Sequence, residues 1–177
     1  MSEPYQLIVL IPEGKDPNET VYITHEILQK EGGEVDAGDS HLFLNDTEVE
    51  EPEPETVADS VYVLNRLVNW PTLGSITYGM PEGMTTVSYL CQPNINRVQA
   101  VKISLLPRAF ERGGDESLSR YKRIASKLHV KLGATRTIMD WGITFKGFDW
   151  MEEINRLQKH NFVGSYELVD LRGKELT

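Results

Sequence analysis

Three short strand-like stretches follow one another closely between Ser75 and Leu106. They cover residues 75–78, 85–91 and 98–106, and turns containing proline separate them, Pro81-Glu82-Gly83 and then Pro93-Asn94. Links this short leave no room for a crossover helix, so successive strands must run antiparallel. The segment therefore predicts an antiparallel meander over about residues 75–106, and this feature constrains the fold more than any other.

Further strands and helices are predicted on both sides of the meander. The run from Tyr5 to Ile11 is apolar and β-branched, and a proline bounds it on each side, which is typical of a buried strand. Asn18 is the expected N-cap of a helix that ends at residues 32–33, although the β-prone run 21–24 leaves a strand open there. The other predicted elements are a strand at 41–44, helices at about 56–69, 117–131 and 149–160, an ambiguous segment at 135–145 that is interrupted at Gly142, and a strand at 166–171.

The order of these elements indicates the fold class. Helices and strands are interspersed, but they lack the strict β-α-β alternation of a doubly wound fold. The sequence therefore predicts an α+β fold in which an antiparallel sheet packs with three to four helices. A length of 177 residues and a hydrophobic fraction of 40% fit one compact domain over residues 1–177.

Acidic residues are concentrated near the N-terminus. The first 60 residues hold 16 acids and only two bases and carry −14, whereas the other 117 residues, with 16 bases and 11 acids, carry +5. Residues 46–59 alone contain seven acids, two prolines and no base. Such a composition resists burial and predicts an exposed acidic loop at about residues 46–56.

This charge pattern favours a noncatalytic binding protein that engages a basic protein partner. Clustered carboxylates in residues 34–59 would steer a cationic protein quickly into contact. By charge alone the chain resembles small acidic inhibitors, including immunity proteins that neutralise nucleic-acid-cleaving toxins, and dedicated chaperones; we identify no family signature in its residues. The predicted partner-binding residues are Glu48, Glu50, Glu51, Glu53 and Glu55, with Trp141 and Trp150 as aromatic anchors if they are exposed and as core residues otherwise.

A basic stripe on the predicted 117–131 helix has several possible roles. Its members lie three or four residues apart and so share one face: Arg120, Arg123, Lys127 and Lys131. A solvated helix face is the simplest interpretation, and docking of the chain's own acidic loop or of an acidic partner is an alternative. Nucleic acid is the least expected partner, because the sequence pI of about 5.0 opposes binding of a polyanion.

The main alternative is an enzyme or small-ligand-binding protein whose site is assembled from distant residues. Its candidate members are Cys91, one of the histidines, and Asp140 or Asp149. The single cysteine, Cys91, is more simply a structural thiol. The sequence contains no zinc-site, calcium-loop, P-loop or nucleophile-elbow pattern, so we expect no metal and no cofactor.

Compartment and assembly are weakly constrained. One cysteine forms no internal disulfide, residues 1–11 lack the features of a secretion signal, and no apolar run approaches the ~20 residues of a membrane helix. We therefore expect a cytoplasmic protein with no membrane association. The oligomeric state is left open by the sequence.

Overall fold

One antiparallel sheet joins the strands of this protein. A computed structural model describes residues 5–43, 55–56, 64, 73–90, 97–141, 143, 150–161 and 169–173. The elements within them are β1 (Tyr5–Lys15), α1 (Pro17–Lys30), β2 (Glu34–Phe43), β3 (Glu55–Thr56), β4 (Leu73–Met80), β5 (Gly83–Leu90), β6 (Val98–Leu105), α2 (Pro107–Leu132), β7 (Arg136–Trp141), α3 (Trp150–Gln158) and β8 (Val169–Arg172).

The strands lie in the order β3-β2-β4-β5-β6-β1-β7-β8, and each neighbouring pair is antiparallel. The fold is therefore α+β, as predicted. Strands β4, β5 and β6 are consecutive neighbours and form the predicted meander. The sheet is larger than that meander, because β2 and β3 extend it on one side and β1, β7 and β8 on the other.

Strand β1 lies inside the sheet and divides the core between its two faces. Alternate residues of a strand point to opposite faces. Leu7 and Val9 belong to the main core with residues of α1 and α2, such as Ile27 and Leu128. The opposite face of β1 holds a smaller cluster beneath α3, formed by Ile8, Leu10, Ile138, Ile143, Leu157, Leu90 and Ala100. Coverage on both faces explains why residues 7–11 of β1 form a continuous apolar run.

Helix α1 begins earlier than predicted. The N-cap is Asp16 instead of Asn18, because Pro17 suits the first helical position and the Asp16 carboxylate accepts a hydrogen bond of 3.0 Å from the backbone N–H of Glu19. The β-prone run 21–24 is helical. The Thr24 hydroxyl donates to the carbonyl of Thr20 at 2.8 Å, which satisfies this β-branched residue inside the helix.

Helix α2 is longer than predicted because it begins at Pro107. The expected break at residues 112–115 corresponds to Gly114, whose φ of 57° and ψ of −137° interrupt the helical backbone. Ser117 is therefore a buried residue after a kink and not the N-cap of a new helix. The extra N-terminal turns are held by Phe110, whose ring lies 4.7 Å from that of Tyr5.

The other strands agree with prediction in position but differ in length. β2 starts at residue 34 instead of 41. β7 lies within the ambiguous segment 135–145 and ends at Trp141, and β8 covers residues 169–172. Of the helix predicted at 56–69, residue Leu64 is helical and buried, and Thr56 lies in β3 instead. The rest of that helix lies outside the described residues. No described helix is long and apolar enough to span a membrane.

Candidate functional site

The predicted acidic partner surface is anchored at one edge of the sheet. β2 ends at Phe43, β3 begins at Glu55, and residue Leu42 pairs with Glu55. β3 is the outermost strand on that side. The chain therefore leaves and re-enters the sheet at the same edge, with the acidic segment between. Glu48, Glu50, Glu51 and Glu53 lie outside the described residues, and only the backbone of Glu55 is described.

Three of the four bases in the α2 stripe are paired with the chain's own acids. Both Nε and Nη2 of Arg123 donate to the two carboxylate oxygens of Glu31 at 3.0 Å, and Nζ of Lys127 lies 3.8 Å from the same carboxylate. The hydrogen bond from Arg123 lowers the pKa of Glu31 despite partial burial. Nη1 of Arg120 donates to Glu82 at 2.7 Å. These partners come from the end of α1 and the β4–β5 turn, not from the acidic loop.

Ion pairs elsewhere in the described part of the chain also use acids from outside residues 34–59. Two of them, Lys15 with Glu19 and Lys30 with Glu26, follow helical spacing along α1. The remaining ones are Arg156 with Glu153, and both Arg136 and Arg172 with Asp170. Eight lysines and arginines are thus engaged by carboxylates that do not belong to the acidic segment.

One of the two predicted aromatic anchors is exposed. Trp141 ends β7 opposite Tyr5, and 54% of its surface is accessible. Trp150 is the first residue of α3, and only its backbone is described. Trp141 therefore meets the condition set for a partner anchor, while the role of Trp150 stays a prediction.

Two members of the predicted alternative site lie together. Nε2 of His160 is 3.1 Å from Oδ2 of Asp140, and Oδ1 of Asp140 accepts the backbone N–H of Trp141 at 2.8 Å. The aspartate thereby holds the imidazole in one orientation, the arrangement that a histidine acting as a base requires. Cys91 and Asp149 lie outside the described residues. Within the described part of the chain, no group of three or more His, Cys, Asp or Glu side chains converges as a metal site.

A cavity of about 490 Å³ lies where the end of α1 meets the start of β2. His25 lines it, and its Nδ1 shares a hydrogen bond of 2.9 Å with the buried hydroxyl of Tyr78. Burial lowers the pKa of His25, so the neutral imidazole is favoured. Gly33 is favoured at the cavity wall, because a Cβ there would lie 2.9 Å from the backbone carbonyl oxygen of Leu28 and 2.8 Å from Sδ of Met80. The full lining is His25, Gln29, Gly32, Gly33, Glu34, Val35 and Leu64.

No sequence pattern singles out the residues of the His25 cavity. His25 was one of four equivalent histidines, and its partner Tyr78 lies 53 residues away on β4. Lys102 on β6 also has no specific sequence signal as a site residue. It is a polar residue between two core residues, Val101 and Ile103. This alternation along β6 indicates that Lys102 faces the other side of the sheet.

A scan against models of known protein families and searches of curated proteins and solved structures find no match to this chain.

Proposed function

We propose that this chain is a noncatalytic binding protein that engages a basic protein partner through the acidic surface of residues 34–59. The observation that carries the proposal is the charge balance. Residues 34–59 contain ten acids and no lysine or arginine, whereas eight bases of the described chain pair with acids outside that range. These eight bases are therefore not the counter-ions of the acidic segment, which supports a role for its carboxylates in meeting a partner.

The position of the segment supports this role. It is attached at the β3 edge of the sheet, which is the end farthest from β7 and β8 in strand order. Carboxylates concentrated near one edge of the sheet create a negative field that orients an approaching cationic protein and accelerates the encounter.

The experiment is a pull-down from the source lysate at low and at high salt, followed by association kinetics with the protein that salt releases. The test variant replaces Glu48, Glu50, Glu51, Glu53 and Glu55 by glutamine. The control variant makes the same change in net charge at five exposed acids elsewhere, Glu13, Glu26, Glu111, Asp115 and Glu152, replaced by their amides.

Wild-type protein and the control variant should retain a basic protein that salt elutes. The test variant should associate at least about tenfold more slowly, because the steering field is lost. Equal on-rates for the test and control variants would remove the proposal, since only total charge would then matter. Trp141→Ala should raise the dissociation rate if this exposed ring is an anchor.

A second candidate function, small-ligand binding, is favoured by the His25 cavity. The cavity combines apolar walls at Val35 and Leu64 with His25, whose pKa is shifted, and such a combination is typical of ligand sites. The test is to add mixtures of amino acids, nucleosides and sugars and to follow the ring signals of His25 by NMR. Binding should be lost in a Val35→Phe variant, which fills the cavity. Failure of every mixture to move those signals would exclude this candidate.

A further inference from the structure

A row of polar side chains crosses the sheet face that lies opposite α1 and α2. Ser75 on β4 pairs with Ser88 on β5, and Ser88 pairs with Lys102 on β6. Directly opposite residues of antiparallel strands point to the same face, and neighbouring strands are about 4.8 Å apart. Lys102 lies between two core residues, Val101 and Ile103, so this face is the one away from the main core. All three polar residues are partly exposed.

The adjacent polar row satisfies its own hydrogen bonds. The hydroxyls of Thr77 and Thr86 lie 3.3 Å apart, and the Ser104 hydroxyl donates to Oε1 of Gln6 at 2.7 Å. Ser75, Ser88 and Lys102 differ, because their side chains make no hydrogen bond or ion pair with any of the residues that the structure describes. This row therefore presents two hydroxyl groups and one ammonium group that are ready to donate.

Among the lysines that the structure describes, Lys102 is the one whose pKa burial lowers. It is half-buried in the middle of the sheet, and this burial lowers its pKa. Lysines are rarely buried without an opposite charge, because desolvation of an unpaired ammonium is costly. Backbone groups of β5 and β6 are engaged in the sheet ladder around this position. No carboxylate of the described residues forms an ion pair with Lys102, so an anion from solution could compensate its charge.

We propose that Lys102, Ser88 and Ser75 bind the carboxylate group of a small organic acid. Nζ of Lys102 and the Ser88 hydroxyl would donate to the two carboxylate oxygens, and the Ser75 hydroxyl would donate to a further oxygen of the ligand. A monovalent carboxylate matches the single positive charge of the row. A phosphate dianion would leave one negative charge uncompensated at a partly buried site. This inference is independent of the proposed binding of a basic protein.

The test is a titration of the intact chain with sodium acetate, with sodium chloride at equal ionic strength as the reference. Amide signals near Ser75, Ser88 and Lys102 are followed by NMR, and the melting temperature is recorded in parallel. Acetate should shift those signals saturably and raise the melting temperature, because a ligand that binds only the folded state stabilises it. Lys102→Met should weaken the effect at least about tenfold. Lys122→Met, which removes an exposed lysine of α2, should leave it unchanged.

Several results would overturn this inference. Equal acetate effects in the Lys102→Met and Lys122→Met variants would show a general response to the salt. No saturable change, or a stronger effect of inorganic phosphate than of acetate, would contradict the carboxylate assignment. A Ser88→Ala variant keeps the test valid if Lys102→Met folds poorly, because it removes one donor without touching the lysine and should weaken acetate binding several-fold.

Discussion

The most demanding prediction concerns Arg136, a buried arginine that ties three elements together. Only 1% of its surface is exposed. Its Nε donates to Asp170 of β8 at 3.0 Å, and its Nη1 donates to the carbonyls of Leu157 and Gln158 at 2.9 Å. Nη2 donates to the carbonyl of His160 at 2.7 Å. One guanidinium on β7 thus caps the C-terminal end of α3 and holds β8.

Replacing Arg136 by methionine should lower the free energy of unfolding by about 3–5 kcal/mol. Breaking a buried ion pair from one side typically costs that much, because the remaining charge stays buried. Arg172 also contacts Asp170, at 2.9 Å, which reduces the loss on the carboxylate side. The carbonyls of Gln158 and His160 lose a charged donor, which adds to the cost. The two contributions offset each other and leave the estimate in the same range.

The prediction also has a pH dependence. Burial alone would raise the pKa of Asp170, but hydrogen bonds from Arg136 and Arg172 outweigh it and hold the pKa below its usual 3.8. A carboxyl whose pKa is lower in the folded state stabilises the fold above its unfolded pKa. That stability is lost as pH falls through the lower, folded pKa. The difference between wild type and Arg136→Met should therefore be full at pH 7 and shrink below about pH 4.

The assay is urea denaturation followed by circular dichroism, with amide exchange in α3 as a local measure. Arg172→Met is the matched control: it contacts the same Asp170, but its side chain is 65% exposed, and it should cost less than about 1 kcal/mol. A loss below about 1 kcal/mol for Arg136→Met, or equal losses for both variants, would refute the argument that burial sets the energy of these contacts.

Three further predictions concern Gly83, His25 and Lys102. Gly83→Ala should destabilise by about 2–4 kcal/mol, because Gly83 has a φ of +149° and a new Cβ would lie 2.7 Å from Cβ of Ala109. Gly133→Ala, at φ +64° with open space around it, should cost only about 1 kcal/mol, so equal losses in urea would contradict the steric clash. His25 should titrate below its usual pKa of 6.5 by NMR, so stability should rise with pH up to about 6.5 and then level off, and His25→Gln should remove that rise. Lys102→Met, measured without added anion, should leave the free energy of unfolding unchanged or raise it by up to about 1 kcal/mol, and a clear loss would show that the ammonium group has a partner.

Sequence patterns predicted the strands and helix breaks that depend on residues close together in the chain. The run from Leu7 to Ile11 is apolar throughout, and its strand is covered on both faces. The glycines around residue 114 predicted a break, and the backbone leaves the helical region there. The first half of α2 was missed because it depends on Phe110, whose ring reaches Tyr5 and Tyr121 from elsewhere in the fold. No local window contains that contact.

Strand β2 shows the opposite case, in which pairing overrides propensity. Its residues EVDAGDSHLF include three acids and a glycine, which strands usually avoid, so only 41–44 was predicted. The strand forms because β4 supplies hydrogen-bond partners along it, for example Tyr78 opposite Val35. Pairing between distant segments therefore decided the extent of β2.

The candidate sites also depend partly on residue types, which the sequence shows, and partly on contacts, which only the fold creates. Residue types named one of the histidines and Asp140 or Asp149 as possible partners, but the contact of His160 with Asp140 depends on how α3 is placed against β7. The exposure of Trp141 likewise depends on its place at the end of β7. The row of Ser75, Ser88 and Lys102 exists only through strand register, which no spacing in the chain reveals.

By itself, the amino-acid order determined the uneven distribution of charge, the antiparallel character of residues 75–106 and most helix and strand positions. These properties depend on composition and on short-range stereochemistry. Tertiary structure decided which acid meets which base, so that Arg123 pairs with Glu31, and it decided which polar groups have no partner among the described residues, as at Lys102. Hydrogen bonds and ion pairs require contact at about 3 Å, and only the folded chain brings residues so far apart in sequence to that distance.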